Sequence, residues 1–352
     1  MDINDRTSSQ AGQSAAVRRL PTGCGRRPDN GSSKRAASLV KIIVADVLTA
    51  ALLLNIFALY YFLLPRDMGH DAKPLAGLQN SGADTGVGMF SGADTLTDTH
   101  ASQSWTEKFA GKFTDGAVEQ TKSSYRSANI SVAVEKMHKD GVTYYVADIY
   151  LADLKHFKTA FAHGRFGSGI HDATDVIAQE NSAVIAINGD YSGNNAGPVV
   201  RNGVLYRDEV FKDALVMYND GSMEAFTAEE FDMDSLTDQK VWQVWTFGPM
   251  LLDNGQPMET FNSTLNPKNP RTAIGYYEPG HYCFVVADGR QPGYSDGLTL
   301  MEMSQMFYDM GCKAAFNLDG GQSSEMSFMG ELVNQPYKGG RGTSDIVYIS
   351  DH

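Results

Sequence analysis

A long apolar segment near the amino terminus constrains this chain more than any other feature. It runs from Ile42 to Leu64 and contains a single charged residue, Asp46. A helix of this length is sufficient to cross a hydrocarbon core of about 30 Å. A cleaved signal peptide would have a shorter apolar region followed by a small-residue cleavage site, whereas this segment closes on the aromatic run 60–62. We therefore predict one transmembrane helix at 42–64.

The charges on the two sides of this segment differ in balance. Residues 1–64 contain 8 Lys and Arg against 4 Asp and Glu, whereas the remaining residues carry a net charge of −17. Because positively charged flanks stay in the cytoplasm, we predict a cytoplasmic amino terminus and an extracytoplasmic remainder, anchored in the cell membrane by this helix. So acidic a surface lacks the cations that neutralise nucleic-acid phosphates, which excludes nucleic acid as an expected partner.

Composition divides the rest of the chain into three parts. Residues 1–41 are polar and lack a sustained period, so we predict a disordered cytoplasmic tail. Residues 65–104 are dominated by Gly, Ser, Asp and Thr and contain SGADT twice, which is typical of a flexible extracytoplasmic linker. Residues 105–352 have the apolar patterning of a folded domain.

Short alternating segments joined by tight turns recur through this domain. Asp140-Gly141, Asn202-Gly203 and Asp220-Gly221 each separate two segments of strand character, which predicts antiparallel hairpins. A helix is predicted from Asp172 to Gln179, ahead of a buried strand.

The pattern changes to strand, loop, helix and strand near the carboxy terminus. Thr299 and Glu302 form a capping box before apolar residues at helical spacing, and Gly311 ends that helix. Helices and strands without strict alternation predict an α+β fold of mixed, largely antiparallel sheets with a few packed helices. Cys283 and Cys312 lie near the starts of strands, so a disulfide and two free buried thiols both remain open.

Several polar clusters lie at the ends of apolar strands. They occupy residues 188–192, 288–291 and 317–324, and Arg271 stands at the entrance of another buried strand. Rigid strands that deliver such side chains into Gly-rich loops are a common way of building a site. Ordinary turn chemistry explains Asp140, Asn202 and Asp220, and an internal salt bridge is the alternative for Arg271.

The order of these motifs resembles that of the phosphodiester glycosidase family. The resemblance covers roughly residues 125–350 and is carried by AVIAINGDYS, NPRTAIGYY, VVADGRQPGYSDGLTLMEMSQMFYDMGCKAAFNLDGGQSSEM and NQPYKGGRGTS. It implies hydrolysis of a glycosyl phosphodiester, with release of a sugar and a phosphomonoester. The family positions carry over to Asn188, Asp190, Arg271, Asp288, Arg290, Asp319, Gly320 and Gly321, together with Ser323 and Arg341.

Roles for these residues follow from the chemistry that the resemblance implies. Glycosidases ordinarily place two carboxylates across the scissile bond, so Asp288 and Asp319 are the candidate catalytic pair and Asp190 is the reserve. The guanidinium groups of the three arginines, Arg271, Arg290 and Arg341, would neutralise the phosphate. Asn188 and Ser323 would hydrogen-bond sugar hydroxyls or phosphate oxygens.

Other readings of the same residues stay open. His171 could act as an acid–base group, although a position at a helix start or on the surface explains it as well. No cofactor is required by this chemistry, but the Asp and Asn oxygens could bind Ca²⁺. The expected substrate is a phosphodiester-linked glycan of the cell surface or an exopolysaccharide, N-acetylglucosamine being one candidate sugar. The alternatives are a binding or assembly protein for an anionic surface polysaccharide, and a metal-dependent phosphodiesterase that breaks the P–O bond.

Overall fold

The computed structural model describes residues 30–58, 65–69, 72–75, 104–209, 212–234, 240–261 and 263–352. The chain divides into two compact units, Met1–Tyr61 and Phe62–His352, and each is described here by itself.

The first unit contains one helix, α1, at Asn30–Ala58. Its portion Val40–Ala58 has a mean hydropathy of 2.1, and its length and composition suit a membrane-spanning helix and a signal sequence alike. Two polar side chains within it are bonded to their own helix, because Thr49 Oγ1 donates to Ala45 O at 2.8 Å and Asn55 Nδ2 donates to Ala51 O at 2.7 Å. Such local bonds keep polar groups satisfied in an apolar environment.

The bounds of α1 differ from those of the predicted segment. The helix begins at Asn30, inside the tail that was predicted to be disordered, since Lys, Arg, Ala and Leu favour helix and extend it backwards. Residues 59–64, the predicted end of the membrane segment, and residues 1–29 of the predicted tail lie outside the described residues.

The second unit is built mainly from strands, with three short helices whose bounds lie within the described residues. The helices are α2 (Trp105–Lys108), α3 (Thr174–Glu180) and α4 (Leu300–Asp309), and single 3₁₀ turns lie at Ala110–Lys112, Leu154–His156, Ala162–Gly164, Gly321–Ser323 and Tyr337–Gly339. The strands are β1 (Arg66–Asp67), β2 (Lys73–Pro74), β3 (Glu119–Gln120), β4 (Ser124–Arg126), β5 (Ile130–Lys139), β6 (Val142–Leu151), β7 (Phe157–Phe161), β8 (Gly167–Ser168), β9 (Ile185–Asn188), β10 (Val199–Arg201), β11 (Val204–Arg207), β12 (Ala214–Tyr218), β13 (Met223–Phe226), β14 (Val241–Trp245), β15 (Leu252–Asp253), β16 (Gln256–Pro257), β17 (Arg271–Glu278), β18 (His281–Ala287), β19 (Ala314–Asn317), β20 (Met326–Phe328), β21 (Glu331–Leu332) and β22 (Asp345–Ile349).

These strands form three large sheets and two small ones. The orders are β19-β17-β18-β6-β5-β4-β3, β13-β12-β14-β10-β11-β2 and β21-β20-β9-β22-β7, with β1-β8 and β15-β16 as two-stranded pairs. Every named pair in the described part of the chain is antiparallel. The predicted α+β class with largely antiparallel sheets is confirmed.

The hairpin turns predicted from Asx-Gly pairs are present. Asp140 and Gly141 have φ angles of 53° and 75° between β5 and β6, and Asn202 and Gly203 have 52° and 75° between β10 and β11. Both residues of such a turn need positive φ, which Asn, Asp and Gly adopt most readily. The local sequence therefore sets the register of these two hairpins.

The main core lies among the inward faces of the sheets and is rich in aromatic residues. The ring of Phe157 lies 6.0, 5.2 and 5.8 Å from those of Trp245, Tyr282 and Phe284, in edge-to-face contacts. All four side chains are fully buried. Such contacts add to the free energy gained by removing the rings from water.

Helix α4 packs on a second, smaller core. The predicted capping box is present, because the Thr299 side chain accepts from Glu302 N and the Glu302 side chain accepts from Thr299 N. Leu300, Met303 and Phe307 are buried against the cluster that contains both cysteines. Cys283 and Cys312 are free thiols whose sulfur atoms lie 3.9 Å apart.

The start of the predicted linker belongs to the folded unit. Strand β1 pairs with β8, strand β2 pairs with β11, and Leu75 is buried in a small core. Gly167 permits the first pairing, since a Cβ there would lie 1.7 Å from the carbonyl oxygen of Arg66. Residues 65–69 and 72–75 are thus part of the domain rather than a stalk, and residues 70, 71 and 76–103 lie outside the described residues.

Candidate active site

Six of the ten predicted site residues line one cavity of about 260 Å³. They are Arg271, Arg290, Asp319, Gly320, Gly321 and Arg341. The loop after β19 supplies the carboxylate and both glycines, and the entrance of β17 supplies Arg271. Antiparallel pairing of β17 with β19 explains this meeting, because it brings the start of one strand beside the end of the other.

Asp319 is the carboxylate of this cavity among the described residues. Its side chain is 8% exposed, and its Oδ2 lies 2.9 Å from Arg341 Nη2. The backbone N–H of Gly320 donates to its Oδ1 at 2.9 Å. Burial raises the pKa of Asp319 above its ordinary value, and the charge of Arg341 offsets part of that rise. A carboxylate with this environment can act as a base or nucleophile at neutral pH.

Ser323 holds Arg341 against Asp319. The Ser323 hydroxyl accepts from Arg341 Nε at 3.0 Å and from Arg341 Nη2 at 2.7 Å. The guanidinium carbon also lies 5.3 Å from the ring centroid of Tyr191, a cation–π contact. Ser323 therefore contacts Arg341, and it also hydrogen-bonds Asp319, which opposes the rise in the pKa of that carboxyl, but it is not among the residues that line the cavity.

Arg271 and Arg290 form a second cationic side of the cavity. Arg271 is 3% exposed, and its guanidinium donates to the carbonyl oxygens of Leu298 at 3.0 Å and Pro267 at 2.8 Å, and to that of Leu265. Arg290 donates from Nε and Nη2 to Asn269 Oδ1 at 2.9 and 2.7 Å.

Neither of these two guanidinium groups forms an ion pair with a carboxylate among the described residues. Burial, with a smaller contribution from the like charge of Arg290, lowers the pKa of Arg271 to about 10. Arg271 nevertheless stays protonated at neutral pH. Two neighbouring cations without an anionic partner are the arrangement that a phosphate would complete.

The two glycines allow the loop to approach these arginines. A Cβ on Gly320 would lie 2.9 Å from the carbonyl oxygen of Pro270, and one on Gly321 would lie 3.1 Å from Arg290 Nη1. Gly321 also has a φ of 67°, a conformation that favours glycine.

The structure does not bring Asp288 to the cavity. Its Oδ1 accepts from Asn334 Nδ2 at 2.8 Å, and its Oδ2 accepts from Tyr294 Oη at 2.8 Å and Gln335 N at 3.1 Å. Burial raises the pKa of Asp288, and these hydrogen bonds oppose that rise. Asp288 therefore ties two loops together, and its predicted pairing with Asp319 across a scissile bond stays a prediction that this geometry does not favour.

Asp190 lies in a buried ionic cluster instead of the cavity. Arg201 Nη2 lies 2.7 Å from Asp190 Oδ1 and 2.9 Å from Asp345 Oδ2, and all three side chains are at most 2% exposed. Burial and the charge of Asp190 raise the pKa of Asp345 to about 6. Sequence reasoning missed Arg201 and Asp345 because each stands inside an ordinary strand pattern.

Asn188 positions the site without lining it. Its Nδ2 donates to the backbone oxygen of Asp319 at 2.7 Å, and its Oδ1 accepts from Thr272 Oγ1 at 2.7 Å and Glu325 N at 3.2 Å. With its amide fully used by the protein, Asn188 fixes the backbone of the catalytic candidate. Its predicted contact with substrate remains untested.

Other residues at or near the cavity were missed or left open by the sequence. Asn269 and Phe247 also line the cavity. Asn269 opens the motif NPRTAIGYY but was not singled out as a site residue, and no motif contains Phe247. The ring of His171 stacks on Tyr191 at 5.4 Å, and its Nε2 lies 2.8 Å from Asn194 Nδ2. Burial and the charge of Arg341 lower the pKa of His171. The His and carboxylate atoms close enough to share a metal ion, those of His163, Asp172 and Glu180, include no predicted site residue.

Comparison with known proteins shows what this domain is similar to. Residues 181–350 match the family model described as phosphodiester glycosidase, so the resemblance carried by the motifs is confirmed. Among sequences, the chain is 32% identical over 197 residues to the SPbeta prophage-derived uncharacterized protein YomE of Bacillus subtilis (strain 168). That match covers 53% of this chain and 30% of YomE, so the chain spans about a third of its relative.

Solved structures are also similar to this domain. The catalytic domain of zebrafish N-acetylglucosamine-1-phosphodiester alpha-N-acetylglucosaminidase aligns with a TM-score of 0.53 at 17% identity, over 68% of this chain and 86% of that domain. A hypothetical protein from Synechocystis aligns with a TM-score of 0.48 at 13% identity, over 66% and 63% of the two chains. The first of these matches establishes a common fold and leaves the activity to be argued from the cavity.

Proposed function

We propose that this chain hydrolyses a glycosyl phosphodiester in a cell-surface or exopolysaccharide glycan, with Asp319 acting at the anomeric carbon. The observation that carries the proposal is the division of the cavity into two parts. Asp319 with Arg341 forms one part, and Arg271 with Arg290, free of carboxylate partners among the described residues, forms the other. The family match and the apolar helix α1 support a glycosidase held at a membrane.

The proposed reaction needs only one carboxylate at the cavity. The bond between the anomeric carbon and the phosphate oxygen breaks, and its electron pair stays on the oxygen. Because a phosphate monoester is a stable anion, the leaving group needs little protonation, and Arg271 and Arg290 would neutralise its charge. Asp319 would attack the anomeric carbon or take a proton from the attacking water, which supplies the new hydroxyl of the sugar.

Sugar release is the first test. The full-length protein in detergent would be incubated with UDP-N-acetylglucosamine and with methyl esters of several sugar 1-phosphates. We expect Asp319→Asn to lower kcat/KM by about 10³-fold or more, and Arg271→Gln by about 10²-fold. Asp288→Asn is the matched control, and we expect it to lower the melting temperature while kcat falls much less.

Oxygen-18 water distinguishes the two bonds that could break. Cleavage of the C–O bond leaves the phosphomonoester without label, whereas cleavage of the P–O bond puts label into it and would reject the proposal in favour of a phosphodiesterase. The presence of one cavity carboxylate, where glycosidases usually have two, favours the second candidate function, a binding protein for an anionic glycan. Retained binding of these esters by the folded protein without any turnover would establish that alternative.

A further inference from the structure

Asn317 has a buried acceptor that the protein does not use. The residue is 2% exposed and is one of those that line the cavity. Its Nδ2 donates to the backbone oxygens of Gly248 at 2.8 Å and Leu318 at 2.9 Å, which fixes the orientation of the amide. No donor among the described residues lies within hydrogen-bonding distance of its Oδ1. A buried acceptor without a hydrogen bond lowers the stability of the folded protein, so its presence needs a specific explanation.

The strand geometry places the side chain of Asn317 on the same side as that of the catalytic candidate. Asn317 ends β19, and Asp319 follows two residues later. Because side chains alternate along extended chain, residues two apart project to the same side and lie about 6.6 Å apart along it. Leu318 between them is fully buried in the main core, as alternation requires. A sugar bound at Asp319 would therefore extend towards Asn317.

Asn317 Oδ1 differs in its hydrogen-bonding capacity from the other polar groups of the cavity. The guanidinium groups of the three arginines can only donate hydrogen bonds, so they suit phosphate oxygens. Asp319 Oδ1 and Oδ2 already accept from Gly320 and Arg341. Asn317 Oδ1 is neutral and accepts only, and its natural partner is a hydroxyl or an amide N–H.

We propose that Asn317 Oδ1 accepts a hydrogen bond from a hydroxyl or acetamido N–H of the bound sugar, and that the site selects sugars carrying this donor. The inference rests on the proposed function, because it takes the sugar to lie beside Asp319. A site that pairs a buried polar atom with a substrate donor discriminates strongly against an analogue that lacks it. Asn317 would thus supply selectivity, while Asp319 acts on the bond.

The test pairs substrate analogues with two asparagine variants of the full-length protein in detergent. The probes are N-acetylglucosamine 1-(methyl phosphate), its 3-, 4- and 6-deoxy analogues, and the 2-deoxyglucose compound, which has a hydrogen in place of the acetamido group. We expect wild type to lose about 10- to 100-fold in kcat/KM for one analogue only. Asn317→Ala should lose the same factor for the parent compound and nothing further for that analogue.

Asn334→Ala is the matched control. Asn334 is also a buried asparagine, but its amide bonds entirely to the protein, from Nδ2 to Asp288 and Ser324 and at Oδ1 from Met326. Any loss in this variant should be equal for all five compounds. The wild-type series does not depend on any variant, so it decides the question even if Asn317→Ala fails to fold.

Binding of the unreactive C-glycosyl phosphonates of the same five sugars, measured by calorimetry, separates the two proposals. Uniform turnover of all compounds by wild type would overturn the role of Asn317 and leave the glycosidase intact. If no compound is turned over but one phosphonate still binds more weakly than the other four, the glycosidase is rejected and the Asn317 subsite is kept. Absence of both turnover and binding would overturn both proposals.

Discussion

Two buried arginines in this domain have opposite electrostatic surroundings. Arg201 is 2% exposed and lies between two carboxylates, whose attraction outweighs the effect of burial and raises its pKa. Arg271 is 3% exposed, yet it bonds to backbone carbonyls and lies near another cation, and its pKa is lowered to about 10. Burial alone therefore does not define the role of an arginine. The charge of the neighbouring groups defines that role, and Arg271 has the surroundings of a residue that binds an anion.

The largest expected effect separates the buried Arg201 cluster from the cavity by stability. Arg201→Met leaves Asp190 and Asp345 buried without a cation, so the free energy of unfolding should fall by about 3–5 kcal/mol. Arg290→Met, at the cavity, removes an exposed group that hydrogen-bonds to Asn269 and lies 5.7 Å from the ring centroid of Tyr337, and it should cost less than about 1 kcal/mol. Urea unfolding followed by tryptophan fluorescence measures both.

Arg201→Lys keeps a charge in the buried cluster and should recover part of the loss. Equal destabilisation by the Arg201→Met and Arg290→Met variants would contradict a stabilising role for the Arg201 ion pairs.

A smaller effect is expected from inorganic phosphate. If Arg271 and Arg290 form an anion site, phosphate at ten times its Kd stabilises the folded state by about 1.4 kcal/mol. For a domain of this size, that corresponds to a rise of about 3–5 °C in melting temperature. Arg271→Gln should abolish the rise, whereas Arg201→Lys should retain it. Sodium chloride at matched ionic strength is the control, and an equal rise with chloride would argue against a specific site.

A separate prediction concerns a dependence of stability on pH that comes from the Arg201 cluster. The pKa of Asp345 is about 6 in the folded state, above the value of about 3.9 expected when unfolded. Its contribution to stability is therefore fully present below about pH 4 and is lost as the pH rises through about 6. Asp345→Asn removes this contribution, so its melting temperature should fall less between acid and neutral pH than that of wild type. Parallel curves for the two proteins would contradict the assignment.

Local features of the fold could be predicted because neighbouring residues fix them. Asp140-Gly141 and Asn202-Gly203 define their turns through their own φ angles, and Thr299 with Glu302 caps α4 across three residues. The bounds of α1 and the strand pairing of residues 65–69 and 72–75 could not be predicted in this way. The second depends on pairing with β8 and β11, far along the chain.

The candidate site could be predicted only in part, because the local sequence does not decide which residues meet in the folded chain. Asp288 and Asp319 each end an apolar strand and precede a glycine, so the local sequence treats them alike. Their partners decide between them, since Asp288 is bonded to Asn334, 46 residues away, and Asp319 to Arg341, 22 residues away.

The sequence by itself determined the apolar helix, the hairpin turns, the capped helix and the motifs shared with the phosphodiester glycosidase family. Each of these depends on residues close together in the chain. Only the tertiary structure decided which carboxylate reaches the cavity, which arginines lack a counter-charge, and that Asn317 keeps an unused acceptor. Burial and electrostatics depend on residues that folding brings together, such as Arg201 and Asp345, which are 144 positions apart.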